Sequence, residues 1–425
     1  MQQTSQPTPA ANRTMGPQDL NAIARRAITM GIIGTDGRPK GPAAKRTLPI
    51  SGGGNFVPAS TPQITITPSN VGLLVGFWVE VQTTISNASA APINLTDFGP
   101  ANLLANIQLQ DLQNNTRIQV PGWVMAFSNS VRNHGQPFGS SLIHTTGIDS
   151  PINWGANFQA QIQAPAQIAA SGTGIVTMWY FIPVSYSDED LRGIIYINVL
   201  NATVQLILAF PGNGGTAGQN GVSICAGFTG DPTQAVYQAT VAGQALASVT
   251  QTNVLVNVSQ VFFDSIPADP KLGLLIPQID VATVYELKQT TQTALVANQD
   301  FPYQYPNYRD ILATYLVYVN NPTGGIRQGG QDINYLEILT ANFTALWKKS
   351  ASLVALETRN LIGTDMPPGT YYFNTRRKPI NSTQYGNIQL IVNALTVNTG
   401  AYTMVAIEDF AVQQNLSIAG SLAAS

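Results

Sequence analysis

The sequence is short of the residue types on which most catalytic and metal sites depend. Its 425 residues include one cysteine, Cys225, so no disulfide can form within the chain, which fits synthesis in a reducing compartment. Cys225 lies in an apolar, strand-like stretch and is predicted to be a small buried side chain rather than a nucleophile. The two histidines, His134 and His144, do not form the His-x-His pair of a cupin-type metal site.

Long apolar runs and charge are scarce as well. No apolar run approaches the ~20 residues that a membrane-spanning helix needs. Charged residues make up 10% of the chain, whereas soluble proteins average roughly 25%. Asn, Gln, Thr, Ser and Gly replace them, and a neutral surface rich in hydrogen-bonding groups lowers the cost of burying one subunit against another. The composition therefore indicates extensive protein–protein contact.

The few charges are unevenly distributed. Residues 1–50 carry seven basic and two acidic residues, a net +5, whereas the remainder carries 13 basic and 20 acidic residues, a net −7. A mildly acidic body is not typical of nucleic-acid binding, so no specific nucleic-acid partner is expected.

From residue 63 onward, most of the chain has the pattern of β-strands separated by turns. Predicted strands include QITIT (63–67), VGLLVGFWVEVQTTI (71–85), RIQVPGWVMAF (117–127), TNVLVNVSQVFF (252–263), ILATYLVYV (311–319) and YTMVAIEDFAV (402–412). Short helices are predicted over 17–30, 281–291 and 351–362. A proline-punctuated stretch at 262–280 predicts a domain boundary. We therefore predict an all-β protein with an N-terminal arm (1–60) and two antiparallel domains, 61–265 and 266–425, built as sandwiches or jelly rolls.

No arrangement of residues predicts catalysis, a cofactor or a metal. The Gly-x-Ser-x-Gly elbow of serine hydrolases is absent. The acidic run SDEDLRG (187–193) lacks the ligand spacing of an EF-hand and instead predicts a helix start capped by Ser187. The densest basic spot of the body comprises Arg376, Arg377 and Lys378. It is either a solvated turn or a salt-bridging contact to a neighbouring subunit.

Several long strings resemble the major capsid proteins of tectivirus-type phages, which are tailless icosahedral viruses with an internal membrane. These strings occur in the same order as in that family. They are LTDFGPANLL (95–104), DSPINWGANFQAQIQAPAQIAASGTG (149–174), MWYFIPVSYSDEDLRG (178–193), DINYLEILTANF (332–343) and GTDMPPGTYYFNTRRKPINSTQYGNIQLIVN (363–393).

The resemblance implies two eight-stranded antiparallel jelly rolls side by side in one chain, a double jelly roll, and no enzyme activity. It also implies a homotrimer of pseudo-hexagonal outline that tiles an icosahedral shell over a lipid membrane. The expected partners are further copies of the chain, vertex and minor capsid proteins, and the internal membrane. The expected location is the virion capsid, after synthesis in the host cytoplasm. A receptor- or carbohydrate-binding spike or adhesin is the alternative function.

The N-terminal arm contains a predicted amphipathic helix over 17–30. Its apolar stripe comprises Leu20, Ile23, Ala24, Ala27 and Ile28, with Arg25 and Arg26 off the stripe. At 1.5 Å per residue such a helix is about 21 Å long, too short to cross a bilayer. We therefore predict an assembly element that rests on anionic headgroups or in a groove of a neighbouring trimer.

Overall fold

The computed structural model describes residues 45–50, 52, 54–58, 61–133, 162–186, 192–197, 203–263, 283–292, 295–320, 332–340, 345–362, 367, 369–398 and 400–412. Within these ranges the protein is dominated by strands, which confirms the predicted all-β class. The predicted helix over 17–30, both histidines and the acidic run at 188–190 lie outside the described residues. No helix of the described ranges has the length and apolarity to cross a membrane.

The described residues form twenty-four strands and three α-helices, which are numbered in chain order. The strands of the first half are β1 (Lys45–Pro49), β2 (Gly54–Phe56), β3 (Gln63–Ile66), β4 (Leu73–Asn87), β5 (Ile93–Leu95), β6 (Asn106–Gln110), β7 (Thr116–Val120), β8 (Ile162–Gln163), β9 (Gln167–Ile168), β10 (Gly172–Pro183), β11 (Ile195–Tyr196), β12 (Gln205–Ala209), β13 (Ser223–Ala226), β14 (Ala235–Ala239) and β15 (Val249–Phe263). Those of the second half are β16 (Thr283–Gln292), β17 (Asp300–Gln304), β18 (Arg309–Val319), β19 (Ile333–Leu339), β20 (Ala345–Lys349), β21 (Thr370–Asn374), β22 (Ile380–Asn381), β23 (Gln389–Ala394) and β24 (Tyr402–Val412). The α-helices are α1 (Gly122–Asn133), α2 (Ala351–Ile362) and α3 (Ser382–Tyr385).

Each half contains eight principal strands that pair in one and the same order. In the first half these are β1, β3, β4, β6, β7, β10, β12 and β15; in the second they are β16, β17, β18, β19, β20, β21, β23 and β24. In both halves the first, eighth, third and sixth strands form one sheet, as β1-β15-β4-β10 and β16-β24-β18-β21. The second, seventh, fourth and fifth strands follow one another in the other, as β3-β12-β6-β7 and β17-β23-β19-β20. This order is that of a jelly roll, so the chain contains two.

The two rolls share a sheet. The fifth strand of the first roll, β7, runs parallel to the first strand of the second roll, β16, with Ile118 opposite Leu287 and Gln119 opposite Lys288. This pairing joins the β3-β12-β6-β7 and β16-β24-β18-β21 sheets into one continuous sheet. Because backbone hydrogen bonds cross the boundary, the rolls are fixed side by side rather than linked by chain alone.

The strands form where apolar side chains alternate. In β4, Phe77, Val79 and Val81 are buried, whereas Trp78 and Glu80 point to the other face. Strand β1 falls within the stretch that the sequence assigned to the arm, and it pairs along its length with β15. The first roll therefore begins before residue 61.

The connections of the first roll carry a small sheet of their own. Strands β13, β14, β5 and β9 pair in that order, and they come from three different connections between principal strands. Side chains hold these connections together: the Asn102 amide donates to the carbonyls of Thr233 and Ala235, both at 3.0 Å, and the Tyr237 hydroxyl donates to the Pro165 carbonyl at 2.9 Å.

Two of the predicted elements are wrong. The predicted helix at 281–291 is strand β16, whose pairing on both sides outweighs its weak helical pattern. The predicted strand at 117–127 ends at Val120, and α1 begins at Gly122. Pro121 separates them, since proline cannot donate to a strand ladder but is tolerated at the start of a helix. The helix predicted over 351–362 is confirmed as α2.

Candidate functional site: the junction between the two rolls

Helix α1 fills the space between the two rolls. Its sequence is apolar on several sides, and its side chains from Gly122 to Val131 are buried, as expected for a helix enclosed all round. The Phe127 ring lies edge-on to Tyr315 of β18, with centroids 5.1 Å apart, and 5.8 Å from Tyr372 of β21. The two tyrosines are opposite each other across the strands. A side chain of the first roll therefore sits on a pair of aromatic rings of the second.

A buried charge cluster continues this contact. Glu408 of β24 is fully buried and accepts from three side chains: Arg132 of α1 at 2.8 Å, Arg376 at 2.5 Å and the Tyr315 hydroxyl at 2.7 Å. Burial alone would raise the pKa of Glu408, but Arg376 and Arg132 outweigh burial and hold that pKa at about 2. The carboxylate is therefore charged and bridges the two rolls.

Aromatic rings enclose the guanidinium of Arg132. It lies 4.8 Å from the centroid of the Tyr285 ring and 5.5 Å from that of Tyr186, and it donates to the Tyr186 carbonyl at 2.7 Å. Cation–π contacts of this kind are strengthened when water is excluded. Arg132 therefore has partners on both rolls.

A second group of charges lies on the same sheet. Arg309 donates to Glu286 and, at 3.0 Å, to Asp409, and Lys288 lies 2.8 Å from Glu286. Burial raises the pKa of Asp409 to about 7 although Arg309 opposes the shift, because the nearby Glu286 adds to it.

Within the first roll, close to the shared strands, Arg117 pairs with Asp111 at 3.1 Å and donates to the Gly193 carbonyl at 2.7 Å. The junction thus combines apolar packing with charges satisfied inside the chain.

The basic spot predicted from the sequence is divided by the structure. Arg376 is mostly buried, and its partners, Glu408 and Tyr315, belong to its own chain. Arg377 and Lys378 are exposed in the turn that follows β21. Contact of this spot with a neighbouring subunit stays a prediction. The arm residues Leu20, Ile23, Arg25, Arg26, Ala27 and Ile28 lie outside the described residues, so their role also stays a prediction.

Sequence reasoning missed Arg132, Glu408 and Tyr315. The one available signal was the acidic pair Glu408–Asp409 inside an otherwise apolar strand, since a charge in a buried strand needs a partner.

Cys225 is buried, as predicted, and burial raises the pKa of its thiol to about 12. Among the residues that the structure describes, no three His, Cys, Asp or Glu side chains gather as metal ligands.

The two rolls match two consecutive families. Residues 47–266 match the N-terminal domain of the P3 major capsid protein, and residues 282–424 match its C-terminal domain. The chain belongs to the P3 major capsid protein family. It is 37% identical over 368 residues to major capsid protein P3 of Enterobacteria phage PRD1, an alignment that covers 86% of this chain and 88% of that protein. The resemblance to tectivirus-type capsid proteins is thereby confirmed.

Solved structures of other capsid proteins share the fold. The STIV MCP matches with a TM-score of 0.59 at 12% identity, covering 87% of this chain and 97% of that chain. A chain of Sulfolobus Turreted Icosahedral Virus matches with a TM-score of 0.54 at 11% identity, covering 89% and 92%. At such low identity these matches bear on the fold alone, and with the strand order above they confirm the double jelly roll.

Family membership assigns the general function. The protein is a phage major capsid protein, located in the capsid of the virion, and its family is structural rather than enzymatic. This decides between the capsid role and the spike or adhesin role that the sequence left open. The contacts at the junction join the two rolls of this capsid protein through a shared sheet, aromatic packing and a buried ion pair.

Proposed function

We propose that the chain forms a homotrimer of pseudo-hexagonal outline, which tiles an icosahedral shell over an internal lipid membrane. The observation that carries this proposal is the presence of two rolls of identical strand order fixed side by side. Three such chains bring together six equivalent rolls, and a closed ring of them has a nearly hexagonal outline suited to tiling. The low charge of the chain supports wide contacts between tiles.

The finer partners belong to the same proposal. The tiles contact one another, vertex proteins and minor capsid proteins, and the N-terminal arm lies on the membrane side of the shell. The net charge of +5 over residues 1–50 supports attraction to anionic headgroups. Arg377 and Lys378 are available for contacts between subunits because they are exposed.

Light scattering on the purified chain tests the trimer. We expect a mass three times the 45.3 kDa of one chain at micromolar concentration. A stable monomer under these conditions would refute the proposal.

A further inference from the structure

Helix α2 occupies in the second roll the place that α1 occupies in the first. Both helices follow the fifth principal strand of their roll. In each case a five-residue strand, β7 or β20, is followed by one residue and then by a twelve-residue helix. Counting along the helices, Leu353 corresponds to Val124 and Leu356 to Phe127. The two segments are therefore equivalent by position as well as by topology.

The two helices differ in what covers them. Val124 and Phe127 are buried, and Phe127 lies on the second roll. On α2, Ala351, Val354 and Thr358 face the interior, whereas Leu353 is 42% and Leu356 is 51% exposed. The position through which Phe127 contacts the next roll is thus apolar and uncovered on α2, where Leu356 occupies it.

The first roll carries a counterpart of the aromatic pair that receives Phe127. Tyr315 and Tyr372 lie on the third and sixth strands of the second roll, opposite each other and 5.1 Å apart between centroids. On the third and sixth strands of the first roll, Trp78 and Phe181 lie opposite each other with centroids 4.9 Å apart. Both residues are on the outer face of the sheet and only partly buried. Within one chain, α2 belongs to the other roll and does not cover them.

We propose that Leu353 and Leu356 of α2 dock on the Trp78–Phe181 pair of a second copy of this chain, repeating between chains the contact that α1 makes within one. The inference rests on the proposed trimer and names its seam. Each copy offers α2 on its second roll and the aromatic pair on its first, so the contact is head-to-tail and closes as a ring. Six equivalent rolls close that ring at three chains.

The seam between chains lacks the buried charges of the junction within the chain. The helix position that corresponds to Arg132 is Leu361, an apolar residue that is partly buried against the core of its own chain. The contact is therefore mainly apolar, and two exposed leucines and two aromatic rings lose water when it forms.

Substitution of the two leucines tests the seam. We expect Leu353→Asp with Leu356→Asp to weaken trimer association on the order of a hundredfold or more, measured by sedimentation over a dilution series. The matched control is Leu112→Asp with Leu395→Asp, since these leucines are 39% and 49% exposed and lie elsewhere. The control is expected to remain trimeric. Far-ultraviolet circular dichroism checks that both variants are folded.

Cross-linking tests the same contact without weakening it. Leu356→Cys combined with Phe181→Cys is expected to give covalent dimers and trimers under mild oxidation, and no larger species. The native Cys225 is buried and does not compete. Leu395→Cys with Phe181→Cys serves as the control and is expected to stay uncross-linked.

The outcomes separate the two proposals. A wild-type monomer would overturn the trimer itself. If the wild-type protein is a trimer but the double aspartate variant is equally trimeric, the seam is overturned and the trimer stands. The same holds if the Leu356→Cys and Phe181→Cys variant gives no cross-link.

Discussion

Glu408 is the residue through which the two rolls share a charge. It accepts from Arg132 of the first roll and from Arg376 and Tyr315 of the second, with no exposure to solvent. A buried ion pair adds little over apolar packing as long as it is intact, but removing one partner leaves the other charges buried and uncompensated. Substitution of Glu408 is therefore expected to lower the free energy of unfolding strongly.

Glu408→Gln is expected to destabilise the protein by about 3–5 kcal/mol, because two arginines lose their carboxylate. The measurement is the urea unfolding midpoint at fixed protein concentration. Glu357→Gln is the control, since Glu357 pairs with Lys349 at the surface, and such pairs contribute about 1 kcal/mol or less. Equal losses in the two variants would contradict a special role of Glu408.

Asp409 should make stability depend on pH. Its pKa is raised from 3.8 to about 7 in the fold, so the folded protein retains a proton that the unfolded chain has lost. Its contribution to stability is fully present below pH 3.8 and is lost as the pH rises towards 7. Asp409→Asn keeps an oxygen for Arg309 but cannot ionise, and it is expected to flatten the decline in unfolding midpoint between pH 4 and 7. A decline unchanged by the substitution would refute the shift.

Residue-level chemistry could be predicted from the sequence only in part. The basic spot drew attention to Arg376, but its partner Glu408 is 32 residues away, and the other arginine on Glu408 is 276 residues away. Such pairs depend on strand register and on the docking of one roll against the other, which no local pattern encodes. The burial of Cys225 was predictable because its immediate neighbours are apolar.

At the scale of elements, α1 and α2 show which helices a pattern can reveal. Helix α2 has one buried stripe and one exposed face, so its apolar spacing is periodic and predicts a helix. Helix α1 begins with the continuous apolar run from Trp123 to Phe127, directly after strand β7 and Pro121, so this run was mistaken for a continuation of the strand. Strand β16 was mistaken for a helix because its distant partners, rather than its own residues, decide its conformation.

Phe127→Ala is expected to loosen α1 from the second roll. The truncation leaves a cavity against Tyr315 and Tyr372, at a cost of about 3–5 kcal/mol in the free energy of unfolding. Urea unfolding measures the change. Leu112→Ala, at an exposed turn, is the control and should shift stability by about 0.5 kcal/mol or less. Similar stability of the two variants would show that Phe127 is not an anchor.

At the scale of the whole molecule, the arm can be separated from the rolls. Because β1 starts at Lys45, deletion of residues 1–40 leaves both rolls complete. We expect this deletion to preserve trimers but to impair shell assembly or membrane attachment, as seen by electron microscopy of particles. Normal membrane-filled particles from the deletion would refute the predicted role of the arm.

Two sets of substitutions distinguish the surface that the arm contacts. Loss of membrane attachment with Arg25→Ala and Arg26→Ala would indicate anionic headgroups, which attract basic residues. Loss of assembly with Leu20→Asp, Ile23→Asp and Ile28→Asp, but not with the alanines, would indicate a groove of a neighbouring trimer.

The pairing of β1 with β15 sets the order in which the chain can fold during synthesis. Lys45 lies opposite Phe263, so the β1-β15-β4-β10 sheet cannot be completed until synthesis has passed Phe263. Until then β15, which lies between β1 and β4 in the sheet, is missing. The edges of β1 and β4 that pair with β15 are therefore unpaired, and such edges promote aggregation. The nascent chain therefore carries these unpaired edges for most of the time that synthesis of the first roll takes.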